Sequence, residues 1–361
     1  MSAQPQAVAA STRMPRPQTA LTGPSAWRGE DLARSEAWLL RLDDGDIAEL
    51  DAALAGVEAS GCELIEVGRD RFPLPGLGRK LAAMREEILH GRGFALVRGL
   101  PIQRLGTRQA AIMYWGIGTH LGKAVSQNAH GHLLGHVIDI GCDENDPNAR
   151  IYQTNARQYF HADSCDIVGL LCLRKARTGG ESTIVSSVTL FNEMFARAPD
   201  LLDELFQPFH IDRRGEVPEG ANPWYEVPVF NWYEDELTTY YVRRYIVSAR
   251  RFAEVPALTD RQIAAFDAFD VICDDPAIHL SMAFEPGDMQ FLHNHQILHD
   301  RNGYTDFDDP ARRRHLLRLW LCPSDGRALP PAYRQRWGSI TIGDRGGIRV
   351  PGQKLVAPLE P

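Results

Sequence analysis

FHADSCDIVGLL, residues 160–171, joins two patterns of different kinds. Its second half, Ile167 to Leu171, is an apolar run of the length expected for a buried strand. Its first half sets His161 and Asp163 two residues apart, and in an extended chain such residues project to the same side. A strand about to enter a core therefore first presents an imidazole and a carboxylate on one face. Both are metal-ligand types. Two ligands do not hold a catalytic metal, so a third must come from elsewhere.

Around this stretch the chain reads as a series of short strand-like runs from Val137 onward: IYQTN, QYFHA, IVGLLCL and STIVSSV. Such a series suggests a sandwich or barrel. Upstream, GRGFALVRGLP reads as a short buried strand bracketed by glycine and proline. Before it, Leu39, Leu40, Leu42, Ile47, Leu50, Leu54 and Val57 recur at roughly helical spacing, and residues 81–88 and 107–121 continue in that style. Downstream, Leu190 to Phe206 reads as helix, and the aromatic-rich 224–247 as strands and loops. Thr259 with Gln262 forms a capping box ahead of a stripe of Ile263, Phe266, Phe269 and Cys273. Strands return at 278–284 and 289–292, and again at His315–Cys322. The expected class is mainly β with α decoration.

Composition limits the function classes. The chain has 361 residues, 44% of them hydrophobic, and a formal charge of −8, so no global basic field favours nucleic acid or an anionic membrane. The expected partner is a small-molecule substrate, with homo-oligomerisation left open. Six cysteines, at 62, 142, 165, 172, 273 and 322, lie far apart without a CxxC pair, which suits reduced thiols in a cytoplasm. No apolar run is long enough to span a bilayer. Residues 1–26, with prolines at 5, 15, 17 and 24, read as a disordered tail, and 27–361 as a single domain.

Late in the chain three features follow one another: GDMQF (287–291), HNHQILHDR (293–301) and RRRHLLRLWL (312–321). With His161-Ala162-Asp163 and Gly179-Gly180-Glu181-Ser182 ahead of them, the last two of these occur in the order of a known pattern of four elements. Over roughly residues 90–325 the chain resembles the TauD/TfdA-like family of non-haem Fe(II)- and 2-oxoglutarate-dependent dioxygenases, within the clavaminate-synthase-like group. A lone HxD would mean little, whereas four separated elements in order are specific.

The resemblance implies a double-stranded β-helix (jelly-roll) core, with N-terminal helices and a helical insert between the two motif-bearing halves. It divides 27–361 into a helical part at about 30–92, a core at about 93–325 and a C-terminal extension at 326–361. It implies His161, Asp163 and His299 as iron ligands, with Asn294 at the turn before the distal histidine. Arg314 would pair with the C5 carboxylate of 2-oxoglutarate, and Ser182, where the family uses threonine, would add a hydroxyl. Arg318, on the same strand face, would sit near co-substrate or substrate. Fe(II), 2-oxoglutarate and dioxygen are the implied cofactor and co-substrates, and no catalytic side chain is expected beyond the metal centre. Halogenation is disfavoured, because related halogenases replace the carboxylate that Asp163 retains. The implied reaction is hydroxylation or desaturation of a small organic substrate, carboxylate-bearing or amino-acid-like, with release of succinate and CO2. Arg318, Arg244, Gln127, Asn128 and Asn294 are candidate substrate contacts.

Other readings stay open from residues alone. His293 with His295, or His130, His132 and His136, offers histidine-only zinc binding, hence a zinc hydrolase. A binding protein that kept the pocket and lost turnover is a further class. Arg312 and Arg313 read as a solvated run against Asp306, Asp308 and Asp309.

Overall fold

The computed structural model describes residues 15–144, 146 and 150–361. Helices lead the chain, and the longest of them begins for a local reason. Helix α1 (Asp44–Ser60) starts at a capping box, with the Asp43 side chain accepting the Asp46 N–H and the Asp46 side chain accepting that of Asp43. It stops at Gly61, whose φ of 64° is the left-handed conformation that glycine adopts without strain. Helices α2 (Leu77–Leu89) and α3 (Thr107–Thr119) follow.

Among the described residues, eleven strands make the two main sheets, one of seven and one of four. In chain order they are β1 (Leu39–Arg41), β2 (Phe94–Arg98), β3 (Lys123–Ala124), β4 (Leu134–Val137), β5 (Gln158–His161), β6 (Ile167–Arg174), β7 (Ser182–Ser186), β8 (Leu280–Met282), β9 (Met289–His293), β10 (Ile297–Arg301) and β11 (His315–Cys322). The seven-stranded sheet runs β1-β2-β9-β6-β11-β3, with β4 also pairing β11, and the four-stranded sheet runs β8-β7-β10-β5. Every pairing in both is antiparallel except β1 with β2.

Strand alternation divides the burial into three layers. Between the sheets, Phe94, Val168, Leu292, Leu316 and Trp320 of the larger meet Ile184, Leu280, Met282 and Ile297 of the smaller. On the outer face of the larger sheet, Leu171, Phe291, Leu317 and Leu319 pack with Leu81, Ile88, Ile112 and Tyr114 of α2 and α3. The smaller sheet is backed by α4 (Ser187–Arg197) and α5 (Asp260–Cys273), where Val185 and Leu298 join Phe191, Phe266 and Phe269.

Several expectations are corrected. Leu39 to Arg41 form a strand against β2 and not the start of a helix, since the parallel ladder with Leu96–Arg98 supplies backbone partners that periodicity could not reveal. IYQTN contains the 3-10 turn Ile151–Gln153, where the Thr154 hydroxyl donates to the Ile151 carbonyl and competes with a ladder. The 224–247 region holds strands to Thr239 but then the helix Arg243–Ser248. The Thr259 capping box forms, yet Ile263 is exposed while Phe266, Phe269 and Cys273 are buried. Of the 1–26 tail, residues 1–14 lie outside the described ones. Residues 15–26 are tied to the fold: Leu21 exchanges two hydrogen bonds with the Asn192 side chain, and Ser186 Oγ donates to the Ser25 carbonyl. Among the described residues no helix is long and apolar enough to cross a membrane.

Candidate active site

His161 ends β5, and the antiparallel register sets His299 of β10 directly opposite it. Their ring centroids are 4.1 Å apart. Asp163, two residues beyond His161, completes a group whose ligand atoms all lie within 4.8 Å of one another. Its Oδ1 is 3.8 Å from His161 Nε2, and its Oδ2 is 3.9 Å from His299 Nε2. His293 and His295 stand apart from this group: His295 Nε2 is 3.0 Å from Asp166 Oδ1, and His293 is buried with its ring centroid 5.7 Å from that of His295.

The protonation states suit a cation. The carbonyl of Tyr159, which can only accept, lies 2.9 Å from His161 Nδ1 and fixes the proton there, leaving a lone pair on Nε2. The Gln158 amide donates to that lone pair at 2.8 Å, so a metal ion here would take its place. Burial lowers the His161 pKa, and burial together with the neighbouring His161 pushes His299 down to about 3. Both imidazoles are therefore neutral near pH 7. Burial alone would raise the Asp163 carboxyl, but Arg318, the two imidazoles and the Trp320 indole hold it below its ordinary value. Trp320 Nε1 donates to Asp163 Oδ2 at 2.8 Å, and Arg318 Nη1 approaches the same oxygen at 3.5 Å.

The loop carrying Asp163 is clamped by Asn294. Its Oδ1 accepts the Asp163 N–H at 2.8 Å, and its Nδ2 donates to the carbonyls of Asp163 and Cys165. The side chain is thus spent on positioning the carboxylate. Gln127 braces Arg318, accepting its Nε at 2.7 Å and donating to its carbonyl at 2.8 Å. Asn128 accepts the N–H groups of His130 and His132 in a turn and lines a separate cavity of about 460 Å³. The three site residues His161, Asp163 and Arg318 face a cavity of about 690 Å³, with Gln127 and Arg244 also on its wall. Arg244 donates to the Glu144 carbonyl.

A second cationic centre surrounds Arg314. Gly180, at φ +77°, leaves room for it, since a Cβ there would stand 2.9 Å from Arg314 Nε. Arg314 Nη2 donates to the Gly180 carbonyl at 3.4 Å, while Nη1 is buried without a partner among the described residues. Arg301 Nε is orphaned in the same way, and both guanidiniums pack on Tyr304, at 5.1 and 4.9 Å from its ring. Burial and the charge of Arg314 push Arg301 down to about 10. Two buried cations with unspent donors and no ion pair among the described residues are suited to a carboxylate. Ser182 lies opposite Arg301 in the ladder, with its hydroxyl donating to Gln290 Oε1 at 3.0 Å.

Sequence reading missed Arg301, Trp320 and Gln158. The first two were detectable: Arg301 follows His299 by two residues and Trp320 follows Arg318 by two, so each shares a strand face with a residue already singled out. Gln158 carried no signal.

Residues 57–320 match the family described as "Taurine catabolism dioxygenase TauD, TfdA family". The chain belongs to this family. Among its relatives, FR-33289 synthase of Streptomyces rubellomurinus (strain ATCC 31215) is 34% identical over 325 residues, which is 88% of this chain and 95% of that protein. An asparagine oxygenase solved with Fe(II), 2S,3S-3-hydroxyasparagine and succinate superposes with a TM-score of 0.60 at 17% identity, over 79% of this chain and 93% of that one. The non-haem iron oxygenase OrfP, solved with Fe, succinate and (3S)-hydroxy-L-Arg, gives 0.60 at 16%, over 80% and 94%. These likenesses concern a sheet-rich mixed α/β fold. As a TauD/TfdA-family member, the protein is a non-haem Fe(II)- and 2-oxoglutarate-dependent oxygenase. The neutral imidazole pair with an anionic carboxylate fits the metal, and the orphaned donors of Arg314 and Arg301 fit a dicarboxylate's far end.

Proposed function

We propose that residues 27–361 form one catalytic domain with a double-stranded β-helix at its centre, acting on a small anion-bearing substrate. The two facing, mainly antiparallel sheets support this architecture, with the two histidines of the metal group on the smaller one. In this reading His161 Nε2, Asp163 and His299 Nε2 hold Fe(II). Arg314 takes the C5 carboxylate of 2-oxoglutarate, with Arg301 and Tyr304 beside it, and Ser182 supports that end through Arg301 and Gln290. The observation that carries the reading is the ligand group, three donors within 4.8 Å of one another beside a cavity of about 690 Å³.

Fe(II) with 2-oxoglutarate supplies the activation of dioxygen: R–H, O2 and 2-oxoglutarate give R–OH, succinate and CO2, and desaturation is the variant in which the substrate loses two hydrogens. The chain's own residues bind and orient. The Tyr159 carbonyl fixes the His161 tautomer, Asn294 holds the Asp163 loop, and Trp320 keeps Asp163 Oδ2 directed. Arg318, braced by Gln127 and stacked 4.6 Å from the Tyr152 ring, offers charge between metal group and cavity. Arginines outnumber carboxylates on the cavity wall, which favours a carboxylate-bearing or otherwise anionic substrate.

The test is anaerobic addition of Fe(II) and 2-oxoglutarate to the apoprotein. A metal-to-ligand charge-transfer band of a bidentate keto acid is expected, followed by succinate formation on admitting oxygen. A protein that binds zinc in preference and gives no band would sink the reading.

A further inference from the structure

Arg336 lies in the C-terminal segment, beyond the residues 57–320 that match the family. It reaches the wall of the large cavity and donates from Nε to Ser164 Oγ at 3.0 Å, one residue past Asp163. Among the described residues Nε is the only one of its nitrogens with a hydrogen-bond partner, and the guanidinium has no ion pair. Ser164 Oγ in turn stands 3.3 Å from the Tyr240 hydroxyl, which is 2.7 Å from that of Tyr225. Ser164, Tyr240 and Tyr225 are buried, so the hydroxyl chain is held in place.

The charge around this cluster is unbalanced. Arg213 and Arg336 both pack on the Tyr225 ring, at 5.0 and 5.3 Å from its centroid, and Arg213 also lacks an ion pair among the described residues. Burial and the neighbouring Arg336 push Arg213 down to about 10. Arg150, on the same cavity wall, has its positive charge met by Glu216 and by the Tyr245 hydroxyl at 2.7 Å. Among the described residues, Arg336 has both terminal nitrogens without a hydrogen-bond partner, while a hydrogen bond and a ring fix its position. A planar fork in a partly desolvated pocket, flanked by a tyrosine hydroxyl, is a site for an oxyanion.

We propose that Arg336, with Ser164 and Tyr240, forms the subsite that seats the anionic group of the prime substrate: a carboxylate, sulfonate or phosphoryl group. The proposal rests on the oxygenase reading above and deepens it. Because Ser164 directly follows the ligand Asp163, an anion held there lies at the metal end of the cavity. It also gives the C-terminal extension a role in substrate selection.

Calorimetry on the full-length protein, loaded anaerobically with Fe(II) and saturating 2-oxoglutarate, tests it with propionate, ethanesulfonate and ethylphosphonate as probes. At least one should bind saturably to the wild type, and the identity of the tightest distinguishes the three anion classes. Arg336→Gln should weaken that probe tenfold or more, and Arg336→Lys, which keeps charge without the fork, by less. Neither should alter 2-oxoglutarate affinity or the charge-transfer band. Failure of all three probes to bind the wild type, or equal binding to Arg336→Gln, overturns the subsite. Absence of the band in the wild type counts instead against the oxygenase reading, and Arg336→Lys serves if the glutamine variant does not fold.

Discussion

His299 faces His161 across the β10–β5 ladder, so strand register alone brings the distal imidazole to the motif strand. A one-residue slip of either strand would turn one ring to the opposite face, where Phe160 and Leu298 already occupy the apolar layer under α4 and α5.

From this geometry, His161→Ala, Asp163→Ala and His299→Ala should each abolish both turnover and the charge-transfer band. His293→Ala and His295→Ala should keep the band, though His295→Ala costs stability by breaking its bond to Asp166. Anaerobic titration with Fe(II) and 2-oxoglutarate checks the set. Loss of iron binding in the His293 or His295 variant but not in His299→Ala would show the ligands to be misassigned.

Arg314→Ala should raise the 2-oxoglutarate requirement by about 2–5 kcal/mol of binding, the usual cost of removing one partner from a buried, hydrogen-bonded ion pair. Arg314→Lys should recover only part, and Arg301→Ala should show a smaller defect of the same kind. Ser182→Ala should cost less than either, at most about 1.5–3 kcal/mol, since its hydroxyl is engaged with Gln290. The readout is the 2-oxoglutarate concentration dependence of the band.

Arg318→Ala is expected to uncouple the reaction, with succinate still forming while substrate oxidation falls. The side chain touches Asp163 and the cavity, whereas Arg314 lies with Gly180 and Glu181 on the wall of a different one. Gln127→Ala should give a milder version by freeing the Arg318 guanidinium. Succinate measured against oxidised substrate decides it. If Arg318→Ala loses 2-oxoglutarate binding while Arg314→Ala keeps it, the two roles exchange.

A buried relay predicts acid sensitivity. His136 Nε2 lies 2.9 Å from the Pro358 carbonyl and must donate to it, so His136 Nδ1 accepts from His315 Nε2 at 2.8 Å. His315 Nδ1 then accepts from Arg174 at 3.2 Å. Burial and the neighbouring His136 push His315 down to about 3. With the folded pKa below the unfolded one, the unfolded chain binds the extra proton, so stability is full above about pH 6.5 and is lost as pH falls toward 3. Between pH 6.5 and 5 the loss should be about 1–2 kcal/mol at about 1.4 kcal/mol per pH unit. His315→Leu should flatten that slope in thermal melts taken across pH, and an unchanged slope would count against the relay.

The elements legible in the sequence were those whose signals are local. The Thr259 capping box, the apolar run of β6 and the β11 span each follow from residues within a few positions. The strand at Leu39–Arg41 was read as helix because its partner, β2, is more than fifty residues away and the apolar spacing fits either element. Residues 15–26 were misread as part of a disordered tail for a similar reason. Pro-rich residues 15–26 carry no strong pattern, yet Asn192 offers Leu21 both a donor and an acceptor.

By itself the sequence determined the chemistry of the site. An imidazole and a carboxylate two apart, a distal histidine and two arginines four apart are choices of residue type and spacing, whereas Asp163 and Arg314 lie just outside β5 and β11, so that Asn294 and not a strand ladder holds the carboxylate. Tertiary structure decided what those groups are paired with. Only the packing of the sheets shows that Trp320 points its indole at Asp163, that Asn294 is consumed by backbone, and that Arg314 and Arg301 are left with unspent donors. It alone carries Arg336 from the C-terminal extension to the side of the metal group. Burial, counter-ions and spare hydrogen-bond donors are properties of neighbours in space, and neighbours distant in the chain leave no local mark on it.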